Sequence, residues 1–170
     1  MPHVLISGAS VAGPALAWWL HRYGYDVTVV ERAPALREGG QNVDVRGAGR
    51  DVTRRMGLEP LIRAATTGEA GLRFVDADDR TIASFPAGHS DSDGFTAELE
   101  ILRGDLARLL VDHTHDTATY VFGDHITGID DRADSVEVTF AHGPRRTFDL
   151  VVVADGIRSV DRYVVRDRGG

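Results

Sequence analysis

The 170-residue sequence predicts an α/β fold, built as a parallel sheet with an antiparallel β insertion. Three observations carry that prediction. The apolar run Val4-Leu5-Ile6 passes through a turn of small residues, Gly8 to Gly13, into a segment of helical periodicity, and the β-branched run Val27-Thr28-Val29-Val30 follows. Such a strand-turn-helix-strand unit has the length of about 30 residues expected of a βαβ crossover. Short β-rich segments separated by turn residues come next. Near the end, Leu150-Val151-Val152-Val153-Ala154 is uniformly apolar and reads as a strand covered on both faces.

Taken in order, Val4 to Ser7 is the first strand, and Ala12 to Tyr23 is a helix whose Leu16, Trp19, Leu20 and Tyr23 recur at helical spacing. Gly24 stands where a helix C-cap belongs. Pro34 to Gly40 is a loop and Gln41 to Val45 is extended, followed by short helices at Gly49 to Met56 and Pro60 to Ala65. Leu72 to Val75 and Thr81 to Phe85 flank the turn-forming Asp76-Ala77-Asp78-Asp79 and form a hairpin. Ala87 to Gly94 is a polar loop and Phe95 to Leu102 is extended. Asp105 to His113 carries Leu106, Leu109 and Leu110 on one helical face. Strands are expected at Thr119 to Phe122, Ile126 to Asp130, Val136 to Phe140 and Phe148 to Ala154.

Composition narrows the function. With a net charge of -7 and basic residues that are scattered rather than striped, the chain has no electrostatic footprint for nucleic acid or acidic lipid. The absence of cysteine excludes disulfides, thiolate metal sites and thiol nucleophiles. No apolar run approaches the ~20 residues that span a bilayer, and no signal peptide opens the chain, so a cytoplasmic location is expected. Asp112-His113-Thr114-His115-Asp116 reads as a solvated helix end rather than a metal site, because residues two apart on a helix point to different faces.

The turn at Ser10 admits two chemistries. As a nucleophile elbow it needs an upstream loop for oxyanion donors and a histidine in a triad setting; only seven residues precede Gly8 and no histidine has that setting. As a dinucleotide turn it must follow a strand, open a helix, and be answered about 20 residues later by an acidic residue ending the next strand. Glu31 stands 23 residues after Gly8. Its carboxylate suits ribose hydroxyls, while the helix N-terminus at Ala12 and Gly13 offers free N–H groups and a positive dipole to a pyrophosphate. The dinucleotide reading is the one adopted.

Four stretches occur in a family's order and spacing: Gly8-Ala9-Ser10-Val11-Ala12-Gly13, Val30-Glu31-Arg32, Ile101-Leu102-Arg103-Gly104-Asp105-Leu106 and Ala154-Asp155-Gly156-Ile157-Arg158-Ser159. They resemble the N-terminal part of the FAD-dependent aromatic hydroxylases, single-component flavoprotein monooxygenases of the para-hydroxybenzoate hydroxylase superfamily. The tetracycline-inactivating and polyketide-tailoring members are the most similar. The resemblance implies a Rossmann-like FAD-binding domain over residues 1–170, with 72–101 as the start of a substrate-side β region. It implies that Gly8, Ser10, Val11, Ala12 and Gly13 hold the pyrophosphate, that Glu31 binds the adenosine ribose, and that Arg32 lies beside the adenine. Arg103 would contact FAD at the start of its helix, and Ile126 would touch adenine through its backbone. Arg37, Asp44 and Arg46 would lie near the flavin ring and the nicotinamide cofactor, and Asp155 would serve both FAD and NAD(P)H.

In the family, NAD(P)H is the reductant, FAD carries the oxygen chemistry, and an aromatic or polyketide small molecule is hydroxylated; no catalytic residue is assigned. The C-terminal substrate half and its Gly-Asp flavin motif are absent from this sequence. An apolar sheet edge is therefore expected beside Leu150 to Ala154, either covered by self-association or a second chain or left by a truncation that retains FAD poorly. Three classes stay open: the FAD-binding part of a monooxygenase, a non-enzymatic nucleotide-binding module, and an NAD(P)-dependent oxidoreductase.

Overall fold

The computed structural model describes residues 1–86 and 97–156. The expected loop at Ala87 to Gly94, Phe95, and the motif residues Ile157, Arg158 and Ser159 lie outside the described residues. In chain order the elements are β1 (His3–Ser7), α1 (Ala12–Arg22), β2 (Asp26–Glu31), β3 (Asn42–Asp44), α2 (Gly47–Arg55), α3 (Glu59–Ala64), β4 (Gly71–Val75) and β5 (Thr81–Pro86). They continue with β6 (Glu100–Leu102), α4 (Arg103–Asp112), β7 (Thr119–Phe122), β8 (Ile126–Asp131), β9 (Val136–Phe140), β10 (Arg146–Phe148) and β11 (Leu150–Val153). The chain divides into two compact units, Met1–Arg37 with Leu110–Gly170, and Glu38–Leu109.

In the first unit four parallel strands run in the order β11-β1-β2-β7. The alternation of a strand sends Val4 and Ile6 to one face of this sheet and Leu5 to the other. Val4, Ile6, Val27 and Val29 pack with Ala17 of α1 and are essentially withdrawn from water. Leu5 and Val30 pack with Ile126, Ile129, Val138 and Phe148 of the antiparallel sheet β10-β9-β8. Each such side chain contributes about 1.5–3 kcal/mol of burial free energy. The crossover helix α1 ends at Gly24, whose φ of +82° is the left-handed conformation that glycine adopts without a Cβ penalty.

Two expectations are corrected here. The single strand expected from Phe148 to Ala154 is two strands in different sheets. Asp149 is the break: its N–H donates to the His3 carbonyl at 2.9 Å, and its carboxylate accepts the His3 N–H at 2.5 Å. That hook moves the chain from the antiparallel sheet to the parallel one. Nor is the cover of β11 complete, although Val152 packs against the Val4 and Ile6 face of the sheet and Val151 against the Leu5 and Val30 face. The strand ends the order of the described parallel strands, Leu150 is 46% exposed, and Val151 to Val153 are only half-buried.

In the second unit β3 and β6 pair antiparallel, with Asp44 opposite Glu100, and β4 and β5 form the expected hairpin. Asp76 closes the hairpin turn, its Oδ1 accepting the N–H groups of Asp78 and Arg80. The extended segment before α4 is shorter than expected, with β6 confined to Glu100–Leu102. Conversely α4 starts two residues early, because the N–H groups of Arg103 and Gly104 are taken by the carbonyls of Gln41 and Gly39. Among the described residues no helix is long and apolar enough to cross a membrane.

Candidate functional site

The glycine turn of the first unit is determined by steric contacts. Gly8 leaves β1 at φ +104°, and a Cβ there would stand 2.9 Å from the Ala154 carbonyl oxygen and 3.0 Å from Asp155 Oδ1. At Gly13 a Cβ would stand 1.9 Å from the Gly8 carbonyl oxygen, which lets α1 start directly against the strand. Ser10, between them, is half-buried. No side chain caps the N-terminus of α1, and its first turn holds no acidic residue. The first turn thus brings no negative side chain of its own to the positive end of the helix dipole.

Glu31 is tied into the same corner. Its Oε2 accepts the Ala9 N–H and its Oε1 accepts the Ala33 N–H, each at 2.9 Å, while the Gly8 N–H donates to the Val30 carbonyl at 2.8 Å. The end of β2 therefore latches the turn that follows β1. An ionised carboxylate has about four acceptor positions, so capacity remains on Glu31 for two further donors such as vicinal hydroxyls.

Two residues that the sequence reading did not single out belong to this region. Ser7, buried in β1, donates from Oγ to Asp155 Oδ1 at 2.8 Å, while the Ala154 N–H donates to the Ser7 carbonyl at 2.8 Å. A lone hydroxyl at the end of an otherwise apolar buried strand was the available signal. Asp124, 6% exposed, accepts N–H groups from His125 at 2.8 Å, His142 at 3.0 Å and Gly143 at 2.9 Å. Burial pushes its carboxyl up, but those three donors outweigh burial and hold it below the usual carboxylate range.

Of the other expected residues in this unit, Arg32 and Arg37 are exposed, and the Ile126 side chain is buried in the core, leaving only its backbone for a ligand. The helix-end cluster is not wholly solvated: Thr114 is fully buried and its hydroxyl meets the Leu110 carbonyl and Tyr120 Oη.

The second unit is charged in a different manner. The Arg46 Nε is ion-paired with an Asp44 carboxylate oxygen at 3.2 Å, yet its buried Nε and Nη2 make no hydrogen bond among the described residues. A buried N–H without an acceptor costs about 1–3 kcal/mol, and such an atom calls for a partner. The Arg103 guanidinium lies over Gly40, where a Cβ would stand 3.1 Å from Nε. Arg50 and Arg63 each bridge Glu59 and Glu98, at 2.6 to 3.1 Å. Hydrogen bonds from Arg50 to Glu59 and from Arg63 to Glu98 lead the causes that hold both carboxyls below their usual range. Glu100 accepts from Asn42 at 2.6 Å and from Thr67, and shares a hydrogen bond with Glu69 that raises Glu69 and lowers Glu100.

The family described as FAD binding domain matches residues 1–166. The chain belongs to this family. It is 41% identical over 169 residues to the FAD-dependent monooxygenase asL4 of Sarocladium schorii, covering 98% of this chain and 39% of the relative. It is 46% identical to the flavin-dependent monooxygenase eupH of Phoma sp, covering 95% of this chain and 40% of the relative. Among solved structures, the tetracycline destructase Tet(51) superposes with a TM-score of 0.79 at 35% identity, over 99% of this chain and 42% of that one. The chain thus spans about two fifths of the length of the relatives it matches.

Several groups in the described residues fit parts of an FAD molecule. An uncapped helix start reached through two obligatory glycines suits a diphosphate, and a half-buried carboxylate at the end of β2 suits a ribose. In the second unit, the unbonded N–H groups of Arg46 suit an acceptor-rich ligand. No group of three or more metal-ligating side chains occurs among the described residues.

Proposed function

We propose that this chain is the FAD-binding part of an NAD(P)H-dependent flavin monooxygenase that hydroxylates an aromatic or polyketide-like small molecule. The observation that carries the reading is the latched corner in which Gly8, Gly13 and Glu31 meet at the start of α1. The backbone of Ser10, Val11, Ala12 and Gly13 would hold the pyrophosphate against the helix dipole, with Gly8 setting the turn. Glu31 would take the adenosine ribose, Arg32 and the Ile126 backbone the adenine, and Asp155 the cofactor side of β11. For Arg37, Asp44, Arg46 and Arg103 the flavin and nicotinamide contacts are proposed from the resemblance, with the Arg46 orphan N–H groups in support.

When bound, FAD supplies the oxygen chemistry, and the protein contributes binding, orientation and electrostatics. The names of the relatives, monooxygenases and a tetracycline destructase, support the substrate class. Polypeptide equivalent to the rest of those relatives would complete the substrate pocket.

The test is the absorbance spectrum of gently purified protein, followed by FAD titration and NAD(P)H oxidation with and without an aromatic substrate. Bound flavin is expected, as is reduction by NAD(P)H once the complementary half is supplied. A colourless protein that binds NAD(P)H and ignores FAD would replace this reading with a pyridine-nucleotide oxidoreductase.

A further inference from the structure

The loop after β7 is built around one carboxylate. Asp124 Oδ1 accepts the N–H groups of His125 and His142, and Oδ2 accepts that of Gly143. Gly143 is held so closely that a Cβ on it would stand 2.9 Å from Oδ2. The turn between β9 and β10 is thereby fastened to residue 124. On its other side, the same loop donates to the segment that ends β2. The Asp124 N–H reaches the Glu31 carbonyl at 3.2 Å and the Gly123 N–H reaches the Ala33 carbonyl at 2.9 Å. Between those two carbonyls the Glu31 carboxylate holds the Ala33 N–H and, across the corner, the Ala9 N–H of the glycine turn.

We infer that Asp124 is a positioning residue for the nucleotide, acting through Glu31: it anchors the loop whose backbone fixes the end of β2, and so aims the Glu31 carboxylate. This rests on the reading of Glu31 as the ribose ligand. Asp124 suits the part because three of its about four acceptor positions are already taken by backbone donors, so that it acts on the site through what it holds. Its three donors also keep it ionised through the neutral range, so the clasp does not release with pH there.

The experiment measures the Kd of ADP, the half of the cofactor that Glu31 would address, for the whole chain and for D124N, G143A, E31Q and the double variant D124N/E31Q. G143A presses on the clasp without altering the carboxylate, and serves if D124N fails to fold, in which case the double variant is G143A/E31Q. D124N and E31Q should each raise the ADP Kd about tenfold, and the double variant about tenfold rather than a hundredfold, because both act on one contact. A loss in E31Q with none in folded D124N or G143A overturns the inference alone, as does strict additivity. No loss in E31Q overturns the ribose assignment and the route through it.

Discussion

The turn at Gly8 to Gly13 and the α2–α3 region both hold irregular backbone in place, but with different materials. In the first, the contacts are backbone amides, carbonyls and half-buried carboxylates at fixed positions, with a Gly13-to-Gly8 approach that excludes even a methyl group. In the second, Arg50 and Arg63 reach Glu59 and Glu98 with long side chains, and Arg63 is 47% exposed. The difference teaches where tolerance lies. A corner made of backbone has no rotamer with which to absorb a change, whereas a lattice of long side chains open to solvent at Arg63 can rearrange there and is partly screened by salt.

The largest expected effect is therefore at Gly13. G13A places a Cβ 1.9 Å from the Gly8 carbonyl oxygen, and should cost about 3 kcal/mol or more in denaturant unfolding and abolish FAD binding. A folded G13A with undiminished FAD affinity would break the contrast. G8A comes next, with a left-handed φ and a contact to the Ala154 carbonyl; the expected loss is about 2 kcal/mol by the same assay. S7A removes the buried hydroxyl that meets Asp155 and should cost about 1 kcal/mol, with weaker FAD binding read by fluorescence quenching. R63M should have the smallest effect on stability of the four, and that effect should vanish in about 1 M salt.

Acid separates the two regions further. Asp124, Glu59 and Glu98 all have folded-state carboxyls below their unfolded values. Their stabilising contribution is present above the unfolded value, near pH 4, and is lost as pH falls through the folded values. Stability measured from pH 7 down to about 5 should accordingly be flat from these groups, and fall below about 4. Salt should weaken the share from Glu59 and Glu98 more than that of Asp124, whose lowering comes mainly from uncharged amides and only last from His142.

What was legible in the sequence was local. The strand Val4 to Ser7, the helix from Ala12 and the β-branched strand ending at Glu31 follow one another with their turn chemistry between them, and the structure agrees to within one residue. Gly24 read as a helix stop because a left-handed residue there is a near-neighbour property. The break at Asp149 was invisible because it depends on hydrogen bonds to His3, at the other end of the chain, while the flanking Phe148 and Leu150 continue an apolar run. Ser7 meets Asp155 across 148 positions, and Asp124 meets His142 and Gly143 across 18 and 19. No period or spacing rule reaches those pairs. The glycines were legible as a motif, and the structure adds why each must be glycine: Gly8 for its backbone angle and the nearness of Ala154, Gly13 for the approach of helix to strand.

The central claim is that the start of α1 grips a diphosphate while Glu31 holds the attached sugar. The most direct measurement is an amide chemical-shift map of the ¹⁵N-labelled chain titrated with FAD. The largest shifts should fall on the N–H groups of Ser10, Val11, Ala12 and Gly13, with Ala9 and Ala33 moving as Glu31 takes up the ribose. Saturating FAD that leaves those amides in place, or that shifts a separate surface instead, would contradict it.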